Sequence, residues 1–365
     1  MTKIPQTQKT LLCHQEGTPY VVEERPVPRP APDEVLVKIM ACALNPIDYG
    51  IVNPPYSRAL ITSWPYVPGG DGAGVVVQVG SDVTNLKEGD RVVFKGHIQT
   101  SERSATCQQY AVVPADLTAL IPAHISFEEA ATIPVALTTD MLVLYNRSPA
   151  PENLGLRLTP IWEPEGTTAY AGTPAFIVGG ASSLGQYAIQ LAKLAGHSPI
   201  ITTASPHNAA HLRTLGATHV LDRARPNASI LAELPQLTGG KPILYAFVAV
   251  AAVPDACRLA RDALAPGGAL ATVMPSSAHI PADVADPGDG KRVGYVLGNL
   301  RLPHTRDTAV AVFKQLTLWL EEGLLKPNPV EVPPGGLRGI TEGLERMKAG
   351  KISGKKLVAR PQETA

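Results

Sequence analysis

At 365 residues the chain is longer than one ordinary hydrophobic core organises, and its composition, 44% hydrophobic and 18% charged, is that of a globular protein of about two domains. Lysine plus arginine and aspartate plus glutamate both total 32, with no run of like charge, which argues against nucleic acid or an anionic membrane as partner. Cys13, Cys42, Cys107 and Cys257 form no C-x-x-C pair, so neither a disulfide framework nor a structural zinc lobe is indicated; with no apolar leader and no bilayer-length apolar run, the expected location is the cytoplasm.

The opening third is rich in proline, glycine and β-branched residues. Strands are predicted at Leu11–Cys13, Tyr20–Glu23 and Glu34–Ala41, separated by turns such as Pro26-Val27-Pro28-Arg29-Pro30, the pattern of a small irregular β-barrel. Asn45-Pro46-Ile47-Asp48 follows as a turn whose Asn and Asp side chains can bond local backbone. Tyr49 and Tyr56 are the nearest phenols able to donate a proton. Ser126 with Glu129 forms a capping box, and a helical pattern continues after Pro134 to Leu144. Residues 146–172, with Pro149, Pro151, Pro160 and Pro164, read as a loop-like insertion, either shaping a substrate mouth or partner contact or simply inert.

Ala175–Val178 is a four-residue apolar run suited to a central parallel strand, and Leu184, Ala188, Leu191, Ala192 and Ala195 recur at helical spacing. Between them lies a turn of small residues, Gly179 to Gly185. Gly180-Ala181-Ser182-Ser183-Leu184-Gly185 departs from G-x-G-x-x-G only at Ser182, and the amides at such a helix start can face a pyrophosphate. Strands and helices then alternate: Pro199–Thr203, His207–Leu215, His219–Leu221, Ile230–Leu237, Ile243–Val248, Pro254–Leu264 and Gly268–Val273. Alternation of this kind predicts a doubly wound parallel sheet of the Rossmann type. NAD sites present an acid at the end of the second strand. Here Thr203, Ser205, Pro206, His207 and Asn208 stand there, with Arg223 after the third strand, so NADPH is the expected cofactor.

Three segments upstream of the glycine turn carry a family resemblance: Cys42 to Tyr49, Trp64 to Gly80 and Leu86 to Val92. In this order they resemble the medium-chain dehydrogenase/reductase superfamily, which includes zinc alcohol dehydrogenases, quinone oxidoreductases and enoyl reductases. The resemblance implies an α/β architecture, a GroES-like irregular β-barrel domain over residues 1–140, a Rossmann NADP-binding domain over 141–310, and a return of 311–365 to the first domain after a helix at Thr305–Leu324. Zinc members carry a Cys in the segment around Asn45 and a His-Glu pair where this chain has Gly70-Asp71, so a metal-free enzyme is expected.

The same resemblance implies that Asn45, Pro46, Ile47 and Asp48 lie beside the nicotinamide, with Thr139 and the closing Ser353-Gly354-Lys355, and adds Leu264 to the cofactor wall. Ile133, Val135 and Thr138, with Val293, Tyr295 and Leu297, are expected to face substrate, and Asn45, Asp48, Tyr49 and Thr139 to stand nearest the chemistry. Ser205–Asn208, Val293–Gly298 and Lys351–Val358 narrow the likeness to fungal zinc-free enoyl reductases that act in trans on polyketide synthases. The expected reaction is hydride transfer from NADPH to the β-carbon of a small-molecule or carrier-bound enoyl substrate. Quinone reduction, or cofactor binding without turnover, are the alternatives, and both a monomer and a homodimer are compatible with the resemblance.

Overall fold

The computed structural model describes residues 4–97, 103–150, 154–250, 253–273, 280–285, 288–296 and 298–365. In chain order the strands are β1 (Thr7–Leu12), β2 (Val21–Pro26), β3 (Glu34–Ala43), β4 (Asp71–Val79), β5 (Arg91–Lys95), β6 (Tyr110–Pro114), β7 (Thr118–Leu120), β8 (Ala175–Val178), β9 (Ile200–Ala204), β10 (His219–Asp222), β11 (Tyr245–Val248), β12 (Ala269–Thr272), β13 (Arg292–Tyr295), β14 (Val330–Glu331) and β15 (Lys356–Ala359). The helices are α1 (Pro46–Gly50), α2 (Tyr56–Leu60), α3 (Phe127–Ala131), α4 (Pro134–Tyr145), α5 (Ser183–Leu194), α6 (Ala209–Leu215), α7 (Asn227–Leu237), α8 (Pro254–Ala263), α9 (Ala282–Ala285), α10 (Pro303–Glu321) and α11 (Gly339–Lys348). Two compact units result: residues 1–135, 316–321 and 327–365 in one, and 136–315 and 322–326 in the other.

The first unit is a curled sheet in the order β14-β15-β3-β4-β5-β7, with β6 also paired to β3. Val35, Val37, Ile39, Val76, Val92, Phe94 and Ala111 point inward from its strands and form one apolar cluster. The register of β3 shifts twice against β4, between Leu36 and Val37 and between Ile39 and Ala41, and such irregularities bend a sheet toward closure. The C-terminal segment returns to this unit, where β15 pairs with β3 through Val358↔Ala43 and Ala359↔Cys42.

The second unit is a six-stranded parallel sheet in the order β10-β9-β8-β11-β12-β13. Strands β8, β9, β11 and β12 are buried along their whole length, which explains their uninterrupted runs of apolar and small residues. Helix bounds differ from the sequence reading where short turns intervene: Pro206–Asn208 is a 3-10 turn ahead of α6, and α7 starts at Asn227. Among its described residues the 146–172 insertion holds no regular helix or strand. It nevertheless caps a helix, since the amides of Leu156 and Leu158 donate to the carbonyls of Val143 and Leu144 at 2.7 and 2.8 Å in the last turn of α4. Among the described residues no helix is long and apolar enough to cross a membrane.

Candidate cofactor-binding and active-site residues

The glycine turn closes on itself in a way that admits no side chain. Gly179 has φ +88°, and a Cβ on Gly180 would collide with Thr202 Oγ1, while one on Gly185 would collide with the Gly179 carbonyl. Ser182, the departure from the glycine pattern, is the N-cap of α5: its hydroxyl accepts from the Gly185 amide and donates to the Ala249 carbonyl, both at 2.9 Å. Thus Ser182 fastens the turn to the end of β11. Ala181, Ser182, Ser183 and Leu184 are the half-buried lip of the turn, and with the positive end of the α5 dipole behind them they fit a pyrophosphate.

At the tip of β9 the predicted donors separate into two groups. Thr203 is only 2% exposed, and its hydroxyl accepts from the Gly179 amide at 3.1 Å, so it supports the turn from within. Ser205 is half-buried and accepts from Arg223 Nε at 2.9 Å; Pro206 and His207 are exposed beside it, while Asn208 is buried. No carboxylate intervenes between Thr203 and Asn208. A hydroxyl and a guanidinium already in contact suit a doubly charged phosphate better than a neutral ribose hydroxyl. Leu264, placed on the cofactor wall by the sequence reading, is 4% exposed and belongs to the apolar cluster of this unit.

In the first unit the Asn45–Asp48 turn is built on a carboxyl and a carboxamide with different tasks. Asp48 is 1% exposed, and its Oδ2 accepts from the Asn45 amide at 2.7 Å at the start of α1. Burial pushes its pKa up to about 7, with the Asn45 amide opposing that rise and the Asp71 charge adding to it. Tyr20, read from the sequence only as a strand residue, donates its hydroxyl to the Asp48 carbonyl at 2.6 Å. Asn45 turns the other way, and its Nδ2 donates to Asp71 Oδ2 at 2.8 Å. Asp71 is fully buried, and the same oxygen accepts from Lys356 Nζ at 2.6 Å while Oδ1 accepts from the Val135 amide at 2.6 Å. Lys95 stands opposite Asp71 in the β4–β5 register; burial lowers its pKa to about 8, Asp71 opposing the fall. Tyr49 is half-buried against the barrel core.

Along α4 and the segment leading into it, from residue 130 to 146, every residue is buried except Val135 and Thr139, which are half-exposed. Four residues apart, they share one helix face. Ile133 and Thr138, also expected toward substrate, are 0% and 2% exposed. Near the C-terminus Ser353 and Lys355 are exposed, and Lys355 pairs with Glu331; the neighbouring Lys356, which the sequence reading passed over, is the one that goes inward. Val293 and Tyr295 are half-buried on β13, and Leu297 lies outside the described residues.

Residues 31–132 match the family model of the alcohol dehydrogenase GroES-like domain, and residues 183–311 match that of the zinc-binding dehydrogenases. A trans-enoyl reductase of Gibberella fujikuroi is 32% identical over 360 residues, spanning 92% of this chain and 93% of that protein. The chain belongs to the medium-chain dehydrogenase/reductase family. The trans-enoyl reductase RAP2 of Pyricularia oryzae is 30% identical and spans 97% of this chain and 98% of its own. Among solved structures, a putative zinc-dependent alcohol dehydrogenase from Rhizobium etli shares the fold, with a TM-score of 0.78 at 24% identity over 97% of this chain and 98% of that one. This medium-chain dehydrogenase/reductase therefore has a nicotinamide-cofactor fold, an α/β pairing of a GroES-like sheet with a parallel one. Its Asn45 carboxamide donates to Asp71, and Gly70 has no side chain. Among the described residues no group of three or more His, Cys, Asp or Glu side chains could hold a metal ion.

Proposed function

We propose that this medium-chain dehydrogenase/reductase is a metal-independent, NADPH-dependent reductase of enoyl thioesters or enones, of the kind that serves a polyketide synthase with a carrier-bound substrate. The observation that carries the reading is the Arg223–Ser205 contact at an acid-free β9 tip, in a chain whose full-length relatives are named trans-enoyl reductases. When bound, NADPH supplies a hydride for the β-carbon of the activated alkene. The residues Gly180 to Leu184 hold the pyrophosphate, and Ser205 and Arg223 the 2′-phosphate. No side chain is required as a nucleophile. Placement and a water-poor surface of amides and hydroxyls around the substrate carbonyl oxygen supply the rate, and solvent supplies the α-proton.

Two measurements test this. NADPH oxidation is followed with a crotonyl thioester, an enone and a benzoquinone: turnover confined to the quinone overturns the substrate class, and tight NADPH binding without any turnover overturns the enzyme. Affinities for NADPH and NADH are then compared in the wild type and in Arg223→Ala. At least a tenfold preference for NADPH is expected, about 1.4 kcal/mol, falling with ionic strength and largely lost in the variant, with NADH unchanged. Equal affinities in the wild type sink the cofactor assignment.

A further inference from the structure

Four elements of the barrel unit meet on one carboxylate. Asp71 begins β4, is 0% exposed, and accepts from the Asn45 carboxamide at the head of α1, from the Val135 amide in the first turn of α4 and from the Lys356 ammonium at the start of β15. Lys356 is 3% exposed, and its second partner, at 3.4 Å, is the Thr132 carbonyl just before α4. A buried carboxylate that gathers several donors is compensated best by a cation in direct contact. The cation is a side chain of the same fold, delivered by the strand that closes the barrel sheet. Asn45 presents its carboxamide nitrogen to this carboxylate and donates a hydrogen bond to it.

We propose that Asp71 and Lys356 are a positioning pair, an internal salt bridge that holds the Asn45 loop and the amino end of α4 in their working geometry. Neither residue touches the reacting atoms; both act through Asn45 and Val135. A buried ion pair is rarely the most stable solution, since apolar groups of the same volume do as well or better. The pair is retained for the geometry it imposes: a carboxylate with two oxygens can take the carboxamide, the ammonium and the helix amide at once, which no apolar pair and no single amide can.

The turnover arm of the test rests on the reductase reading; the spectroscopic arm does not. The full-length protein, labelled with nitrogen-15, is compared with Asp71→Asn/Lys356→Met, which removes both charges together, and with Asn45→Ala, which assigns the side-chain signal. In the wild type the Asn45 carboxamide protons and the Val135 amide are expected to exchange slowly with solvent, and in the folded double variant at least tenfold faster, with NADPH affinity unchanged. In turnover the double variant should lose at least tenfold in kcat with little change in the enoyl KM, and adding Asn45→Ala should cost nothing more, because residues acting through one another are not additive. Unchanged exchange at Asn45 in a folded double variant, or a full additional loss from Asn45→Ala, overturns the proposal. If the wild type reduces no enoyl substrate, the reductase reading has failed while the exchange data still decide the pair. Should the double variant not fold, Lys356→Arg decides: slow Asn45 exchange kept by the alternative cation supports the pair, and its loss in a folded protein overturns it.

Discussion

The Asp140 carboxyl is fully buried in α4, and neither of its oxygens has a hydrogen-bond partner among the described residues. Burial holds its pKa well above the usual carboxylate range. In the unfolded chain the same group releases its proton near pH 4. The folded state thus binds more protons, and the contribution of Asp140 to stability is complete below about pH 4 and declines as pH rises toward the raised folded value. Asp140→Asn, a neutral isostere, removes that slope. It should unfold at a higher temperature than the wild type at pH 8, with the gap closing toward pH 4. Asp48, with its pKa near 7, also weakens the wild type as pH rises from about 4 to 7, but it is present in both proteins and cancels in the comparison. A scanning-calorimetry gap that is constant across this pH range would mean that Asp140 is not the titrating group.

At the scale of elements, the strand-turn-helix from β8 to α5 was readable because its own parts follow one another in the chain, whereas its ties to Thr203 and Ala249 were not. The apolar strand, the small turn residues, the Ser182 cap and the first helical turn are contiguous. Gly185 is where α5 meets the backbone of Gly179 and Gly180 with no room for a Cβ. Gly185→Val should therefore force α5 off the turn and abolish NADPH binding, a loss of at least a hundredfold by fluorescence titration, and an unchanged titration in a folded variant would show that the pyrophosphate is held elsewhere. The β9 tip was less readable. Thr203, Ser205 and His207 look alike as donors in sequence, but the Thr203 hydroxyl, inside β9, accepts from the Gly179 amide, while Ser205, just past the strand, meets Arg223. An acid meant to repel a 2′-phosphate consequently belongs at Ser205, since at Thr203 it would disturb the turn itself.

At the scale of the second unit as a whole, the 146–172 insertion covers an edge. Strand β13 ends the parallel sheet, and the Tyr295 amide donates to the Leu154 carbonyl at 3.0 Å while Arg292 Nη1 donates to the Leu156 carbonyl at 3.2 Å. Leu156 also packs against Gly294, where a Cβ would have no room. A covered edge cannot add the strand of a second copy. The expected state is a monomer at micromolar concentration by light scattering, and a dimer joined through β13 would contradict the covering role of Leu154 and Leu156.

Sequence alone determined the features whose causes are local or periodic: the Ser126–Glu129 capping box, the buried parallel strands with their intervening helices, and the glycine turn. The composition of the Asn45–Asp48 turn was equally plain, because its hydrogen bonds span three residues. Only the tertiary structure decided which polar groups share a carboxylate. Asp71 and Lys356 are 285 positions apart, and they meet because β15 returns beside β3 in a register that pairs Val358 with Ala43. In the sequence Lys355 and Lys356 are indistinguishable neighbours. Lys355, just before β15, pairs with Glu331 at the surface, while Lys356, the first residue of the strand, reaches Asp71 in the interior.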